Sequence, residues 1–310
     1  MEYVDCHFHV WALEKFKYPW PTPDMRIHKD YWPCGLEDVW ALEKFKYPWP
    51  TPDMRIHKDY WPCGLEGNIE NTPVKHAVFV QCLNASSGGT AETEWVMDMA
   101  TRHPVIVGVV AGLDLTSSNL DSVITSLKAK GCLKGARHIL DLDADDWITR
   151  DNVSNGLETL AKHDLTFDLL VRPHHLPLVP TVVAKHPSLR FIIDHTAKPI
   201  FSEGRTTGWW DDMAQIAKFP NVFCKISGLI SEQKEDTWRS IDYQPFIDHL
   251  LSVFGVDRCV FGSDWPVFEN VGVTYKENLA HTEKLLAKLD QNDRLKIFRE
   301  NAIRFYKLNL

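Results

Sequence analysis

The stretch LRFIIDH, residues 189–195, is a nearly continuous apolar run that ends in an aspartate and a histidine. Runs of this kind are typical of strands in a parallel sheet, because both faces of such a sheet are buried. Seven more apolar runs have the same character, at residues 3–9, 74–82, 105–113, 133–140, 166–172, 221–227 and 258–264. We therefore predict eight buried parallel strands.

Amphipathic stretches with helical spacing of their apolar residues separate most of these strands. They cover residues 90–103, 119–130, 152–163, 178–186, 209–218 and 243–254, and two more follow at 275–289 and 292–308. Eight strands that alternate with helices indicate a closed barrel with the helices outside it. No linker interrupts the pattern. The sequence thus predicts a single α/β domain over residues 1–310, a (β/α)8 TIM barrel with C-terminal helices.

The composition narrows the classes of function. The chain has 310 residues and a formal net charge of -8, and an acidic surface argues against nucleic acid or an anionic membrane as a partner. The amino-terminal residues show no basic segment followed by an apolar one, which predicts no secretory signal. The seven cysteines are scattered and odd in number, so we expect reduced thiols in a cytoplasmic protein. The expected partner is a small-molecule substrate, and a homo-oligomer is compatible with the sequence.

One segment occurs twice in tandem. Residues 10–37 and 39–66 both read VWALEKFKYPWPTPDMRIHKDYWPCGLE, letter for letter. Two copies in different surroundings should drift apart, so their identity indicates a very recent duplication or an error in the gene sequence rather than a selected repeat architecture. Its aromatic residues and prolines predict a structured loop between the first two strands. Either copy, or a chimera of the two, could dock on the barrel.

Polar residues gather at the carboxyl ends of the predicted strands, where TIM barrels carry their catalytic groups. Burial of so many titratable side chains without partners would be unfavourable, so we expect them to satisfy one another or a metal ion. These residues are His7, His9, Arg137, His138, Arg172, His174, His175, Asp194, His195, Lys225, Ser227 and Asp264. Together they predict a catalytic centre on this rim.

The first strand carries the clearest metal-binding pattern. His7 and His9 are two residues apart, so in a strand they project from the same face, and strict alternation places Asp5 on that face as well. Two neutral imidazoles that converge in this way can bind a divalent metal such as zinc.

Each rim residue also has a purely structural explanation. His195 or Asp264 could cap a turn or a helix. Arg137 or Lys225 could neutralise a nearby carboxylate, and the two histidines of the first strand could simply be partly exposed. All of these alternatives would have to hold at once on one rim, which favours the catalytic interpretation.

Several motifs, taken in order, are similar to those of one family. They are DCHFHVW at residues 5–11, GARH at 135–138, FDLLV at 167–171, IDH at 193–195, KP at 198–199, NVFCKISGL at 221–229 and FGSDWP at 261–266. On these motifs the chain resembles the amidohydrolase-related family of the metal-dependent amidohydrolase superfamily, and most closely its sugar-lactonase-like branch of fucono- and rhamnono-lactonases. The duplicated segment departs from that family, which has one such loop.

The resemblance implies a role for most of the rim residues. The metal ligands it implies are His7, His9, His175 and Asp264, where His175 is chosen because it precedes a leucine. The catalytic residues it implies are Asp264, His195, Arg137 and His138, and His195 is alternatively a ligand. From their residue types rather than from the resemblance, we expect the substrate-binding residues to be Trp11, Arg172, His174, Lys225 and Trp265. One divalent metal, zinc, is implied, although some lactonases of this branch work without metal.

The activity implied by the resemblance is the opening of a small lactone by an activated water. Zinc would lower the pKa of water, and Asp264 would take the proton and later pass it to the leaving alkoxide. His195 and the Arg137–His138 pair would stabilise the oxyanion that forms on the lactone carbonyl. Two other interpretations stay open: a single-zinc non-oxidative decarboxylase of the same superfamily, and an inactive copy whose pocket the duplicated loop obstructs.

The sequence alone does not choose the substrate class. The carboxylates of a dicarboxylate lactone could bind to the positive charges of Arg137, Arg172 and Lys225. A sugar lactone could instead stack its ring on Trp11 and Trp265.

Overall fold

Eight parallel strands form one sheet, in the order in which they occur along the chain. The computed structural model describes residues 2–12, 53–201 and 208–310. The strands are β1 (Tyr3–Phe8), β2 (Val74–Val80), β3 (Ile106–Gly112), β4 (Leu133–Ile139), β5 (Thr166–Leu170), β6 (Arg190–Ile193), β7 (Val222–Ile226) and β8 (Cys259–Phe261). Residues just beyond β8 close the ring on β1, because the Asp264 amide donates to the His7 carbonyl at 2.7 Å and the His9 amide to the Trp265 carbonyl at 2.8 Å. The predicted TIM barrel is confirmed.

Helices lie between successive strands, outside the barrel, and further helices follow the last strand. They are α1 (Pro62–Ile69), α2 (Gly89–Ala100), α3 (Leu120–Ala129), α4 (Asp151–Lys162), α5 (Val179–Lys185), α6 (Trp209–Ile216), α7 (Gln244–Phe254), α8 (Tyr275–Leu285), α9 (Gln291–Leu295) and α10 (Asn301–Tyr306), and a π-helical turn, Lys296–Glu300, joins the last two. The helix α1, which begins in the second copy of the repeated segment and extends three residues beyond it, was not among the predicted helices. Within the described residues, no helix is long and apolar enough to span a bilayer.

Burial explains why the strands read as continuous apolar runs. Every residue of β1, β5, β7 and β8 is buried, since helices cover the outer face and side chains fill the interior. One apolar cluster joins Val4 and Cys6 of β1 to Phe305 and Tyr306 of α10. The C-terminal helix therefore packs against strand residues of the barrel and forms part of its core.

The cysteines are mostly free thiols. In the described part of the chain, free thiols are found at Cys6, Cys82, Cys132, Cys224 and Cys259. Cys63 is disulfide-bonded, so the expectation of reduced thiols is wrong for that residue.

A bulge in β1 separates Asp5 from the two histidines. Asp5 lies opposite Ala77 and Phe8 lies opposite Phe79, so three steps along β1 match two along β2. A bulge breaks the strict alternation of side chains. Asp5 accepts the Tyr275 hydroxyl at 2.8 Å, at the start of α8, and the expectation that it shares a face with His7 is wrong.

The two described ends of the duplicated segment dock on each other. Trp11 belongs to the first copy and Tyr60 to the second. The Trp11 amide donates to the Tyr60 carbonyl at 3.0 Å, and the Tyr60 amide returns a bond to the Trp11 carbonyl at 2.7 Å. Their rings meet edge to face with 5.0 Å between centroids. The described contacts are thus chimeric, while residues 13–52 of the predicted duplicated loop lie outside the described residues.

Deletion of residues 13–41 is expected to leave the fold and the activity unchanged. It removes one 29-residue period, leaves a single-copy chain of 281 residues, and keeps every described residue. Thermal unfolding and substrate turnover of the shortened chain are the measurements. Trp11→Ala is the control, because loss of this fully buried ring should destabilise the fold by about 3–5 kcal/mol. A rise in turnover on deletion would show instead that the extra copy obstructs the site.

Candidate active site

Three histidines and one aspartate converge at the carboxyl end of the barrel. His7 and His9 come from the end of β1, His195 follows β6, and Asp264 follows β8. The Nε2 atoms of His7 and His9 are 3.2 Å apart. Asp264 Oδ1 lies 3.8, 3.4 and 3.7 Å from Nε2 of His7, His9 and His195. All four side chains are buried, and we call them the histidine–aspartate cluster.

Hydrogen bonds behind the rings orient two of these histidines. His9 Nδ1 lies 2.7 Å from the Val80 carbonyl oxygen, which only accepts, so Nδ1 carries the proton of the neutral ring and Nε2 keeps a lone pair. His195 Nδ1 lies 3.0 Å from the Ser227 hydroxyl. Such partners fix the ring and direct the opposite nitrogen, as they do for metal-binding histidines.

His7 brings a second lone pair to the same point. Arg137 Nη1 lies 3.1 Å from His7 Nε2, and Asp194 Oδ1, which only accepts, lies 3.4 Å from His7 Nδ1, so Nδ1 carries the proton of the neutral ring and Nε2 keeps a lone pair. It faces the acceptor Nε2 of His9 at 3.2 Å. Two lone pairs at this distance repel each other, and a cation between them would relieve the repulsion.

The protonation states of the cluster suit a cation. Burial lowers the pKa of His7 and of His9, and it lowers that of His195 to about 4. Burial alone would raise the pKa of Asp264, but the surrounding histidines outweigh it and hold that pKa below its usual value. The cluster therefore presents neutral imidazoles and a carboxylate at neutral pH, which is the state that a divalent metal requires.

The spacing of the donor atoms fits zinc. Tetrahedral zinc with bonds of 2.0–2.1 Å holds its ligand atoms about 3.3 Å apart. Four of the six distances between the donor atoms of the cluster, 3.2, 3.4, 3.7 and 3.8 Å, lie around that value. Among the described residues, His7, His195 and Asp264 form a fully buried group whose potential ligand atoms all lie within 4.8 Å of one another.

His195 sits on an unusual turn. Residues 195–198 all have positive φ angles, between 49 and 58°, a region that residues other than glycine seldom adopt. The Lys198 amide donates to the His195 carbonyl at 2.8 Å, and the Trp209 indole to the Thr196 carbonyl at 2.8 Å. Gly228 is required beside it, because a Cβ there would lie 2.5 Å from His195 Nδ1. Backbone strain of this kind is concentrated at functional sites.

A buried ionic network contacts the cluster through His7. Lys225 Nζ lies 2.6 Å from Asp168 Oδ2, 2.9 Å from Asp194 Oδ1 and 3.2 Å from His7 Nδ1. Burial alone would lower the pKa of Lys225, but the two carboxylates outweigh it and raise that pKa. Asp168 was not among the predicted site residues, although a carboxylate inside the apolar strand β5 indicates a buried partner.

Arg137 is largely committed to the protein itself. Its Nε and Nη2 donate to Gln81 Oε1 at 3.2 and 3.0 Å, and its Nη1 donates to Asp194 Oδ2 at 2.9 Å. Its contact with the cluster is the bond to His7. The structure therefore brings the predicted catalytic arginine to the cluster, where it contacts the Nε2 atom of His7.

His138 lies in a separate pair. Its Nε2 is 2.6 Å from Asp143 Oδ2, and its ring stacks on Trp147 with 3.7 Å between centroids. Burial lowers the pKa of His138. The structure gives this predicted catalytic histidine a carboxylate and an aromatic ring as neighbours.

His174 and His175 lie together on the loop after β5. His175 Nδ1 accepts the Arg172 amide at 3.1 Å, so the proton of its neutral ring is on Nε2. That nitrogen faces Asp145 Oδ1 at 3.5 Å, as does His174 Nε2. A protonated nitrogen does not bind a metal, and these residues form a group distinct from the histidine–aspartate cluster.

The two tryptophans predicted to meet the substrate are buried. Trp11 is 0% exposed and Trp265 is 1% exposed. Their indole N–H groups donate at 2.8 Å to the Lys58 carbonyl and to Glu269 Oε1. Neither ring presents a face to solvent, so the stacking role expected from the sequence has no support in this geometry.

Comparison with known proteins identifies the family of the chain and agrees with its fold. The chain matches the amidohydrolase family over residues 4–308. An L-fucono-1,5-lactonase of Burkholderia ambifaria is 32% identical over 99% of this chain and 96% of its own, and an L-fucono-1,5-lactonase of Burkholderia multivorans is 28% identical over 98% and 96%. A crystal structure of a Burkholderia multivorans amidohydrolase with bound zinc has a TM-score of 0.82 and 25% identity, with 100% of both chains covered. The chain belongs to the amidohydrolase family of hydrolases.

Proposed function

We propose that this hydrolase opens a neutral, polyhydroxylated sugar lactone. The proposal rests on the ion pairs of Arg137, Arg172 and Lys225, the three cations expected to bind a substrate carboxylate. Each of them is already paired with carboxylates of the protein. Lys225 is bound between Asp168 and Asp194, and Arg137 is also bound to Asp194. Both cations are buried and already neutralised.

Arg172, the third of these cations, is paired as well. Its Nε donates to Asp141 at 2.7 Å, and its Nη1 and Nη2 donate to the two oxygens of Glu232 at 3.0 and 3.2 Å. The adjoining rim adds the exposed carboxylates of Asp143 and Asp145. These rim carboxylates repel a substrate carboxylate. The rim therefore favours a neutral lactone, in agreement with the names of the lactonase relatives.

The residues of the cluster supply the chemistry. Asp264 is ionised, and Ser231 holds its Oδ2 at 2.5 Å while Oδ1 faces the imidazoles. Asp264 takes a proton from the attacking water and returns it to the alkoxide that leaves when the ring opens.

We infer that His7, His9, His195 and Asp264 hold one divalent metal, with zinc as the best fit. His195 takes the place expected for His175, because its Nε2 lies in the cluster and that of His175 does not. A bound metal would lower the pKa of water and polarise the carbonyl.

His195→Gln is expected to lower zinc affinity at least about 10-fold. Loss of a residue that only orients a metal ligand already lowers the affinity by about this factor, and loss of a ligand should lower it by at least as much. His175→Gln is its matched control and should bind zinc like the wild type. Competition of the purified proteins with a chromophoric chelator measures both affinities. The reverse pattern would restore His175 as the ligand.

A lactone panel read with a pH indicator tests the activity. Neutral five- and six-membered aldonolactones should release acid with kcat/KM at least about 100-fold above that for dicarboxylate lactones. Aromatic and muconate-type acids, assayed in parallel for carbon dioxide, test the decarboxylase alternative. Release of carbon dioxide without lactone opening would replace the proposal, and an inactive full chain beside an active single-copy chain would support the alternative of a pocket obstructed by the duplicated loop.

A further inference from the structure

Four charged residues join the loops that follow β4, β5, β6 and β7. Glu232 accepts both terminal nitrogens of Arg172, at 3.0 and 3.2 Å. Glu232 Oε1 also accepts the ammonium of Lys198. Arg172 in turn donates its Nε to Asp141 at 2.7 Å. We call Asp141, Arg172, Lys198 and Glu232 the rim clamp.

One end of the rim clamp lies next to the general base. Ser231 precedes Glu232 in the chain, and its hydroxyl donates to Asp264 Oδ2 at 2.5 Å. That bond leaves Oδ1 to face His7, His9 and His195. Any shift of the loop that carries Glu232 therefore moves the group that orients Asp264.

The other end lies next to His195. Lys198 is the last residue of the turn with positive φ that begins at His195. Non-glycine residues keep such a conformation only where their surroundings impose it. The Lys198 side chain is 16% exposed and binds Glu232, so the clamp holds the end of the turn while Ser227 holds the His195 ring at 3.0 Å.

We propose that Glu232 is a positioning residue that sets the placement of Asp264, through Ser231, and of His195, through Lys198. The proposal rests on the proposed function, since it assigns Glu232 a task in the same site. Glu232 acts through these neighbours and does not itself bind the sugar. Its loss therefore changes the rate of the chemical step and the metal affinity, and leaves substrate binding nearly unchanged.

Glu232→Gln removes the charge and keeps the size of the side chain. We expect kcat and zinc affinity each to fall about 10- to 100-fold, the range typical of residues that orient metal ligands, while KM changes less than about twofold. Glu235→Gln is the matched control. Glu235 lies on the same loop and pairs at 2.5 Å with Arg55, but neither residue contacts the cluster, so wild-type values are expected.

Lys198→Gln tests the second arm of the clamp. It should lower kcat in the same direction, and the double variant with Glu232→Gln should lose less than the product of the two single losses, because both act through one contact. Thermal unfolding confirms that each variant is folded, and if Glu232→Gln does not fold, Lys198→Gln carries the test.

Three results would overturn the proposal. The first is wild-type kcat and zinc affinity in Glu232→Gln, and the second is equal losses in Glu235→Gln. The third is a rise in KM at unchanged kcat in Glu232→Gln, which would identify Glu232 as a substrate-binding residue. The zinc titration also separates the two proposals. If the wild type opens no lactone while Glu232→Gln still loses zinc affinity, the clamp stands and the proposed function fails.

Discussion

Asp264→Asn is expected to lower lactone turnover at least about 100-fold while the chain stays folded, since loss of a general base removes a factor of this size or more. The carboxylate is 3% exposed and its pKa lies below its ordinary value, so the base is ready at neutral pH. The amide of asparagine has nearly the same shape and can still accept the Ser231 hydroxyl. It cannot take a proton from water.

Steady-state hydrolysis of the best lactone, with thermal unfolding in parallel, measures this loss. Asp145→Asn is the matched control, because Asp145 is a rim carboxylate that faces His174 and His175 at 3.5 Å instead of the histidine–aspartate cluster. Its turnover should equal that of the wild type. Wild-type turnover by the Asp264 variant would remove Asp264 from the role of base, and a loss confined to the Asp145 variant would move the site to that second group.

Lys225→Met is expected to destabilise the fold by about 3–5 kcal/mol, because removal of one partner leaves buried charge without compensation. Lys225, Asp168 and Asp194 are all 0% exposed. Methionine fills a similar volume, so the loss reports on charge rather than on packing. Burial already raises the pKa of Asp168 to about 6 although Lys225 opposes this shift. Without the ammonium the folded-state pKa rises further above its unfolded value, and stability falls as the pH rises through that pKa.

Urea unfolding at two pH values measures the effect of Lys225→Met. The double variant with Asp168→Asn should recover part of the stability, because Asp194 keeps its partner Arg137 at 2.9 Å and no uncompensated carboxylate remains at position 168. A variant as stable as the wild type at both pH values would contradict the assignment of this network as ionic.

The barrel could be predicted because its physical cause is visible in the sequence. Strands that are buried on both faces must be apolar along their whole length, and the polar residues that interrupt them must lie at the ends. The run LRFIIDH shows both features within seven residues. The bulge in β1 could not be predicted, because a bulge is a property of the pairing of two strands and the residue types of β1 fit either register. The placement of Asp5 was wrong for this reason.

The choice between His175 and His195 shows a second limit. Each follows a buried strand, and each has a chemically reasonable role. What separates them is the partner of Nδ1, the Arg172 amide for His175 and the Ser227 hydroxyl for His195. Those partners depend on the path of the loops, including a turn with positive φ at four residues that are not glycine, which residue preferences argue against.

The docked pair Trp11 and Tyr60 has a consequence for how the gene can change. Because the repeat units are identical, the residues that meet at the base of the segment are the same whether one unit or several lie between them. Doubling a loop adds only about 0.6 kcal/mol to the free energy of closing it. The stability of the barrel therefore depends little on the number of repeat units, and selection for a stable barrel does not fix that number. Unequal recombination can add or remove whole units while the contact between Trp11 and Tyr60 is kept.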